Sequence, residues 1–374
     1  MKTLKMNSLT RLLAIVLIAV ILISVITIAV GGKQSNYEDD NDSGDIGNTT
    51  EKTDEDKDSS TEEDQNNDQT QIPDDNTQEA LKFFNPITGL EVTEDEYKSS
   101  PLAFLVDSNA PLYGISNADI TFEIPLENGK TRLLVYQTKR NTLWKIGSLA
   151  PARDFISSLA NLFGGTIISY EKDDIVDYDA DDHSSTLLDL SYFSGSYNVE
   201  NSKYVYSSLD RINEVISKNS DTSLSEYKSA PYFISDEAVF GTSEAKSIFL
   251  PYSEKSDSNL FYSERTGKYT YYKSSTKAID KLSGAEISYK NVFVLFANST
   301  TYETSVGKEL IIDTYSGGSG YYASNGQMTE INWNLTEDGT VIFTTLNGEI
   351  LKVNKGNSYI AFYKTSISSD VLVK

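Results

Sequence analysis

Nineteen consecutive residues, Leu12 to Val30, carry only two polar side chains, Ser24 and Thr27. A helix of that length rises roughly 30 Å, the thickness of a bilayer's hydrocarbon core, so the stretch predicts one transmembrane helix. Lys2, Lys5 and Arg11 precede it, and no acidic residue occurs before Glu38. Positive flanks stay inside, which makes residues 1–11 a cytoplasmic tail and places everything beyond the span outside the cytoplasm. A cleaved signal peptide is the alternative, with Ala29-Val30-Gly31 as a small-x-small site. Its apolar core is normally about 7–15 residues, shorter than this one. Either way the bulk of the chain is expected at the outer face of a cell membrane.

That orientation makes composition informative. An exported chain can use disulfides, yet this one has 0 Cys, which also rules out a lipid-modified cysteine. The net charge of −23 opposes nucleic acid, whose phosphates demand lysine and arginine, and opposes flat adhesion to anionic lipid. Much of the charge is local: Asn36 to Ala80 holds 17 acidic residues against 2 lysines. Built from Asp, Glu, Asn, Gln, Ser and Thr, residues 31–83 are expected to be a disordered acidic linker, a stalk or a solvated spacer.

Folding signals begin at Phe84-Asn-Pro-Ile-Thr-Gly-Leu90. Pro101-Leu-Ala-Phe-Leu-Val106 predicts a buried strand ending at Asp107, and Ile120-Thr-Phe-Glu-Ile124 an alternating one. Asn128-Gly129 predicts a hairpin turn into Arg132-Leu-Leu-Val-Tyr-Gln137. Phe155, Ile156, Leu159, Leu162 and Phe163 fall on one helical face, which Gly164-Gly165 ends before a strand at Ile167-Ile168. Leu209, Ile212, Val215 and Ile216 mark a second amphipathic helix. From about Ser247 the pattern changes to short runs between turn signals: 269–273, 292–297, 309–315, 320–323, 330–334, 341–345, 349–353 and 359–363. Asn325-Gly326 and Asn347-Gly348 separate such runs, which suggests an all-β sandwich or curled sheet. Twelve of the 24 tyrosines lie beyond residue 246. Such residues can bind sugars or proteins, and they are also ordinary strand formers.

Few motifs point to chemistry. His183, the single histidine, sits in the polar run Asp177-Tyr-Asp-Ala-Asp-Asp-His183, a poor setting for a rigid Ser-His-Asp triad. Asp177, Asp179 and Asp181 open like a calcium loop. Asp182 then stands where an EF-hand needs glycine, and Leu188 where it needs glutamate, so a solvated acidic loop is the expectation. Gly317-Gly-Ser-Gly320 lacks the lysine and helix of a phosphate loop and is read as a strand-linking turn. Nothing in the chain calls for a cofactor or metal.

Phe84–Leu90, Gly114-Ile-Ser-Asn-Ala-Asp-Ile-Thr-Phe-Glu123, Gly129-Lys-Thr-Arg132 and Gly147-Ser-Leu-Ala-Pro-Ala-Arg153, in that order, resemble the YerB-like bacterial lipoproteins (DUF3048). Asn291-Val292, Gly317–Tyr322, Trp333 and Asn347–Gly356 resemble that family's C-terminal domain. The resemblance implies an envelope protein of Gram-positive bacteria with an N-terminal domain, 84–246, a C-terminal domain, 247–365, and a tail, 366–374. It also implies a link to cell-wall assembly and no established catalysis. The combined expectation for the fold is α+β: an α/β-like N-terminal domain followed by a mainly antiparallel β domain.

Against the family pattern the lipobox cysteine is absent, with the transmembrane span in its place, and three further departures stand out. Asp-Asn-His is Asp107-Ser108-Asn109 here, His-Ala-Gly-Gly is replaced near Ser169-Tyr170-Glu171, and His-Asn-Leu-Tyr-Thr/Ser becomes Lys203-Tyr-Val-Tyr-Ser-Ser208. If those histidines do chemistry in relatives, this chain has lost it, since imidazole is the usual proton carrier near neutral pH. The family-matching polar residues that remain, Asp107, Asp119, Glu123, Arg132, Arg153 and Tyr206, are the ligand-binding candidates. Arginines there could grip a carboxylate or phosphate bidentately, or the charges could simply pair with one another.

The expectation is therefore a membrane-anchored, extracytoplasmic, non-catalytic protein. Its expected partner is a cell-wall glycan or protein, a peptidoglycan synthase among the candidates. One alternative is an enzyme acting on wall polymer with Asp107, Asp119 or Glu123 as acid or base, where paired carboxylates would sit about 5–10 Å apart. A sporulation or surface-structure component is a further alternative.

Overall fold

Leu102–Val106 does form a buried strand in the structure, a computed structural model. The structure describes residues 81–140, 143–153, 156, 159, 163–171, 187–218, 230, 232–304, 307–314, 316–335 and 341–374. The span Leu12–Val30, the acidic tract, His183 and the calcium candidates Asp177, Asp179 and Asp181 lie outside the described residues. Among the described residues no helix is long and apolar enough to cross a membrane.

The fold is β-rich and mainly antiparallel. A short helix, α1 (Glu94–Lys98), starts on a capping box between Thr93 and Glu96. The main strands of the first half are β1 (Leu102–Asp107), β2 (Ile120–Pro125), β3 (Thr131–Gln137), β4 (Thr166–Ser169), β5 (Leu187–Asp189) and β6 (Tyr204–Ser207), followed by helix α2 (Leu209–Lys218). Then come β7 (Ser243–Glu244), β8 (Ser247–Ser253), β9 (Ser256–Ser263), β10 (Lys268–Lys273), β11 (Asn291–Ala297), β12 (Ser299–Thr304), β13 (Gly307–Ile312), β14 (Gly318–Ser324), β15 (Gln327–Leu335), β16 (Val341–Thr345), β17 (Ser358–Lys364) and β18 (Leu372–Val373).

One eleven-stranded sheet runs β7-β15-β14-β11-β17-β2-β3-β1-β4-β5, with β16 also on β15. Its centre draws on both halves of the sequence. Strand β17, close to the end of the chain, pairs in parallel with β11 on one side and with β2 on the other. Residues on both sides of position 246 therefore share one sheet, and Thr77–Lys374 is one compact unit. A second, six-stranded sheet contains β10, β9, β8 and β18. Residues 366–374, read from sequence as a tail, supply β18, which closes that sheet against Ile248 and Phe249 of β8.

Strands buried on both faces read as continuous apolar runs, and alternate residues fill different cores. Leu102, Phe104 and Val106 of β1 point with Val292 and Val294 of β11 toward the second sheet, into one core with Ile248, Leu260 and Tyr271. Ala103 and Leu105 point the other way, with Phe122, Phe293 and Phe362, under the helical residues Ile156, Leu159 and Phe163. Gly164 and Gly165 end that helical turn at φ 73° and 100°, as expected. The Asn128-Gly129 turn joins β2 to β3, and Asn325-Gly326 joins β14 to β15, all with positive φ.

The alternating run of β2 has no wet face: Thr121 and Glu123 are fully buried beneath the second sheet. One reading needs correction, because the glycine run is no linking turn and Gly318 and Gly320 belong to β14. A Cβ on either would meet the carbonyl oxygens of Phe296 and Val294 on β11 at 2.3 and 2.5 Å, so glycine allows the two strands to approach.

Removing β17 and the residues after it leaves β2 and β11 with unpaired inner edges. A chain ending at Asn357 is expected to lose cooperative unfolding in both halves, and residues 84–246 expressed alone to lack it too. Thermal melts followed by near-ultraviolet circular dichroism test this; a cooperative melt for 84–246 alone would contradict it.

Candidate functional site

The six candidate residues are distributed over five places. Glu123 projects from the middle of β2 into the layer between the sheets, where it is fully buried. Its Oε1 accepts hydrogen bonds from Lys273 Nζ at 2.8 Å, Thr131 Oγ1 at 2.6 Å and Ser258 Oγ at 2.7 Å. Its Oε2 accepts from Tyr271 Oη at 3.0 Å and from Tyr359 Oη. Burial opposes ionisation, but the Lys273 ammonium and these donors outweigh it and hold the carboxyl below its ordinary value. The same carboxylate pushes the Tyr271 and Tyr359 phenols, already raised by burial, further up. Glu123 is thus fully engaged, and it is unavailable as an acid or base.

Arg153 is likewise committed. It grips Glu127 with two hydrogen bonds of 2.7 and 2.8 Å and lies 3.7 Å from Glu309. Glu127 belongs to the β2–β3 turn and Glu309 to β13, so the guanidinium ties one hairpin to another. Burial would raise the Glu127 carboxyl, but Arg153 keeps it low. Tyr206 packs edge-on against Tyr113 at 5.1 Å, and Lys145 Nζ sits 4.1 Å from both ring centroids.

Asp119 is part of a knot. Its carboxylate accepts from Thr138 N at 2.7 Å, Thr138 Oγ1 at 2.8 Å and Asn85 Nδ2 at 3.2 Å. Asn85 Oδ1 in turn accepts the backbone N–H groups of Ile87 and Thr88, which shapes the Phe84–Leu90 loop. The backbone of Asp119 and Thr88 then receives the N–H groups of Ser358 and Gly356 at the entry to β17. Burial raises the Asp119 pKa to about 6 against these donors. A second carboxylate, Asp280, accepts from Gly114 N and Ser116 N, pinning that motif loop to the other half of the chain.

Only Asp107 and Arg132 come together. They are direct cross-strand partners on β1 and β3, and they line one cleft of about 200 Å³. Lys130, Thr131, Ser148, Lys203 and Tyr204 line it as well. Asp107 Oδ1 accepts Asn109 N at 2.9 Å, which fixes the turn at the mouth. Three cationic side chains and one carboxylate, with the Ser148 and Tyr204 hydroxyls among the lining groups, make a small site suited to an anion. Thr131 connects it to the buried hub. It donates its hydroxyl proton to Glu123, while Ser108 Oγ donates to the Thr131 carbonyl oxygen at 2.8 Å and lies 2.6 Å from Thr131 Oγ1.

Sequence reasoning missed Lys130, Lys203 and Ser148, although each lies in a motif it had singled out. Lys130 and Arg132 are two apart and so share one side of a strand. Lys203 occupies a position where the family pattern has histidine.

Comparison with known proteins agrees with this architecture. Residues 87–223 match the N-terminal domain, and residues 248–360 the C-terminal domain, of a family described as protein of unknown function (DUF3048). The fold and paired domain segments define the class, and the chain belongs to the DUF3048 family. A solved structure, the YerB protein from Bacillus subtilis, is similar with a TM-score of 0.68 at 19% identity, over 78% of this chain and 100% of that one. No curated protein matches.

Replacing Lys273 by methionine leaves Glu123 buried without its counter-charge. The expected loss at pH 7 is about 3–5 kcal/mol in denaturant unfolding, and Glu123→Gln/Lys273→Met should recover part of it. The pH responses of the two carboxylates are opposite. Glu123, held low, contributes stability above its ordinary value near 4.5, lost as pH falls through its folded pKa. Asp119, raised from 3.8 to about 6, costs stability progressively as pH rises across that window. Stability measured from pH 4 to 7 is therefore expected to favour Asp119→Asn increasingly toward pH 7, relative to wild type. A difference that stays flat would contradict the buried-carboxylate account.

Proposed function

We propose that this is a non-catalytic protein of the bacterial cell envelope that holds an acidic group of a wall polymer in the Asp107–Arg132 cleft. One observation carries the reading: Lys130, Arg132 and Lys203 surround a single carboxylate in a chain whose net charge is −23. Cations gathered against that background attract carboxylate or phosphate groups by complementarity of field. Of the three carboxylates offered for acid–base work, Glu123 is held by Lys273 and Asp119 lies outside the cleft beside Thr138 and Asn85, which leaves Asp107 without a second carboxylate among the cleft's lining residues. The span Leu12–Val30 and the acidic linker would hold the folded unit just beyond the membrane, within reach of wall polymer. In the finer reading of the fold, the parallel β1, β4 and β5 with the helical residues Ile156, Leu159 and Phe163 form the α/β-like part, and Asp107 at the end of β1 lines the cleft.

The test is co-sedimentation of the full-length, detergent-solubilised protein with purified Gram-positive wall, before and after removal of its anionic polymers. Wild type is expected to pellet with intact wall and to be released by salt. Lys130→Glu/Lys203→Glu is expected to bind about tenfold more weakly, about 1.4 kcal/mol. Equal binding by that variant, or no binding by wild type, would overturn the proposal. Wall hydrolysis abolished by Asp107→Asn would establish the enzyme alternative instead.

A further inference from the structure

A recess of about 470 Å³, separate from the cleft, opens where the two family segments meet. Its wall is sorted by charge. The N-terminal segment supplies Asp119, Glu91 and Glu96, with Lys139; the C-terminal segment supplies Lys268, Lys290 and Lys355 and no carboxylate. Three of these groups have local partners of their own. Glu91 is 3.7 Å from Lys82, Glu96 accepts Thr93 N at 3.0 Å, and Lys355 is 2.6 Å from Asp236.

Lys290 is the informative residue. It is half-buried, and its ammonium donates to two neutral acceptors, Asn325 Oδ1 at 2.5 Å and Gly267 O at 3.4 Å. Burial, with Lys268 beside it, lowers its pKa. Its stem packs on Gly356, where a Cβ would sit 2.6 Å from Lys290 Cβ, so only glycine leaves room for the stem there. Across the recess Asp119 feels Glu96 in the same like-charged way. A carboxylate-bearing wall and a lysine wall around one cavity of ligand size are the complement of a dipolar solute.

We propose that this recess binds a small zwitterion, its anionic end on Lys290 and Lys268 and its ammonium on Asp119 and Glu96. Bound there, the ligand touches both segments and bridges the seam that β17 closes. The site is independent of wall binding at the cleft, so either reading can fail alone.

The probes are alanyl-alanine and glucosamine 6-phosphate, each carrying one ammonium and one anion. Their N-acetylated forms keep only the anion, and alanyl-alanine amide keeps only the cation. Calorimetric titration of the full-length protein in detergent is expected to show saturable binding of at least one zwitterion. Its single-charge forms should bind about tenfold more weakly or worse. Lys290→Gln and Asp119→Asn should each reduce zwitterion binding about tenfold, with wall co-sedimentation unchanged. Lys139, Lys268, Lys355, Glu91 and Glu96 also face the recess, and burial raises Asp119 to about 6, so affinity should fall as pH drops below about 6. A thermal melt shows whether each variant is folded, and Lys268→Gln provides a second probe of the basic wall. Equal binding of the N-acetylated and free forms would reduce the recess to an anion site and overturn the proposal. Failure of both zwitterions to bind the folded wild type would overturn it as well.

Discussion

The buried pair between Glu123 and Lys273 is the constraint on which the two-layer architecture depends. Glu123 stands on the main sheet and Lys273 on the second, 150 residues apart in sequence. Dehydrating two charges costs several kcal/mol per ion, recovered only when the geometry is good and the remaining lone pairs are used. Both conditions are met. Lys273 Nζ reaches Glu123, Thr131 and Ser258, while Tyr271 and Tyr359 complete the carboxylate's second oxygen. A purely apolar interlayer would let two greasy sheets slide past one another. A charge with fixed partners on β3, β9, β10 and β17 accepts a single register. The hub therefore defines which face of β2 meets which rung of the second sheet, and through Thr131 it sets the wall of the anion cleft.

This explains why the strands were legible in the sequence and their arrangement was not. Leu102–Val106 and Val292–Ala297 are apolar throughout because both of their faces are covered, and a continuous run announces that without reference to partners. Asn128-Gly129 and Asn325-Gly326 announce turns because few other pairs tolerate positive φ twice in succession. Ile120-Thr-Phe-Glu-Ile124 misleads for the opposite reason. Alternation normally means one wet face, whereas here the polar face is dry and its satisfaction comes from Lys273, Ser258 and Tyr271 in a distant segment. No local pattern encodes that partnership. The same holds for β17, whose apolar run Tyr359–Tyr363 is evident, though its place between β11 and β2 depends on non-local pairing.

The site residues divide along the same line. Motif membership picked out Asp119, Glu123 and Arg153, and the structure uses all three to knit segments together. Asp119 holds Asn85 and Thr138, Glu123 holds Lys273, and Arg153 holds Glu127. A residue type alone cannot distinguish a charge kept for a ligand from one kept for a neighbour; the distinction lies in whether a complementary group comes within reach after folding. Asp107 and Arg132 could be joined from sequence only by knowing the β1–β3 register, which brings Lys130 and, through the β6 strand, Lys203 and Tyr204 to the same cleft.

Placing the last long strand in the middle of the sheet has a consequence for how the molecule forms. Until Ser358–Lys364 is available, β2 and β11 each present an open inner edge, and exposed edges pair with whatever strand is near. Tyr359, one of the donors to Glu123, arrives on that same strand, so the hub stays incomplete and its carboxylate under-partnered until the chain end inserts. The entry to β17 also brings Gly356 beside the Lys290 stem at the edge of the charge-sorted recess. Closure of the sheet, completion of the buried ion network and assembly of the recess are thus one event. Pairings of such long sequence separation must bear their loop-closure entropy before any contact rewards it, which makes that event a late one. A recess built this way exists only in the finished fold, and partly folded chains cannot present it.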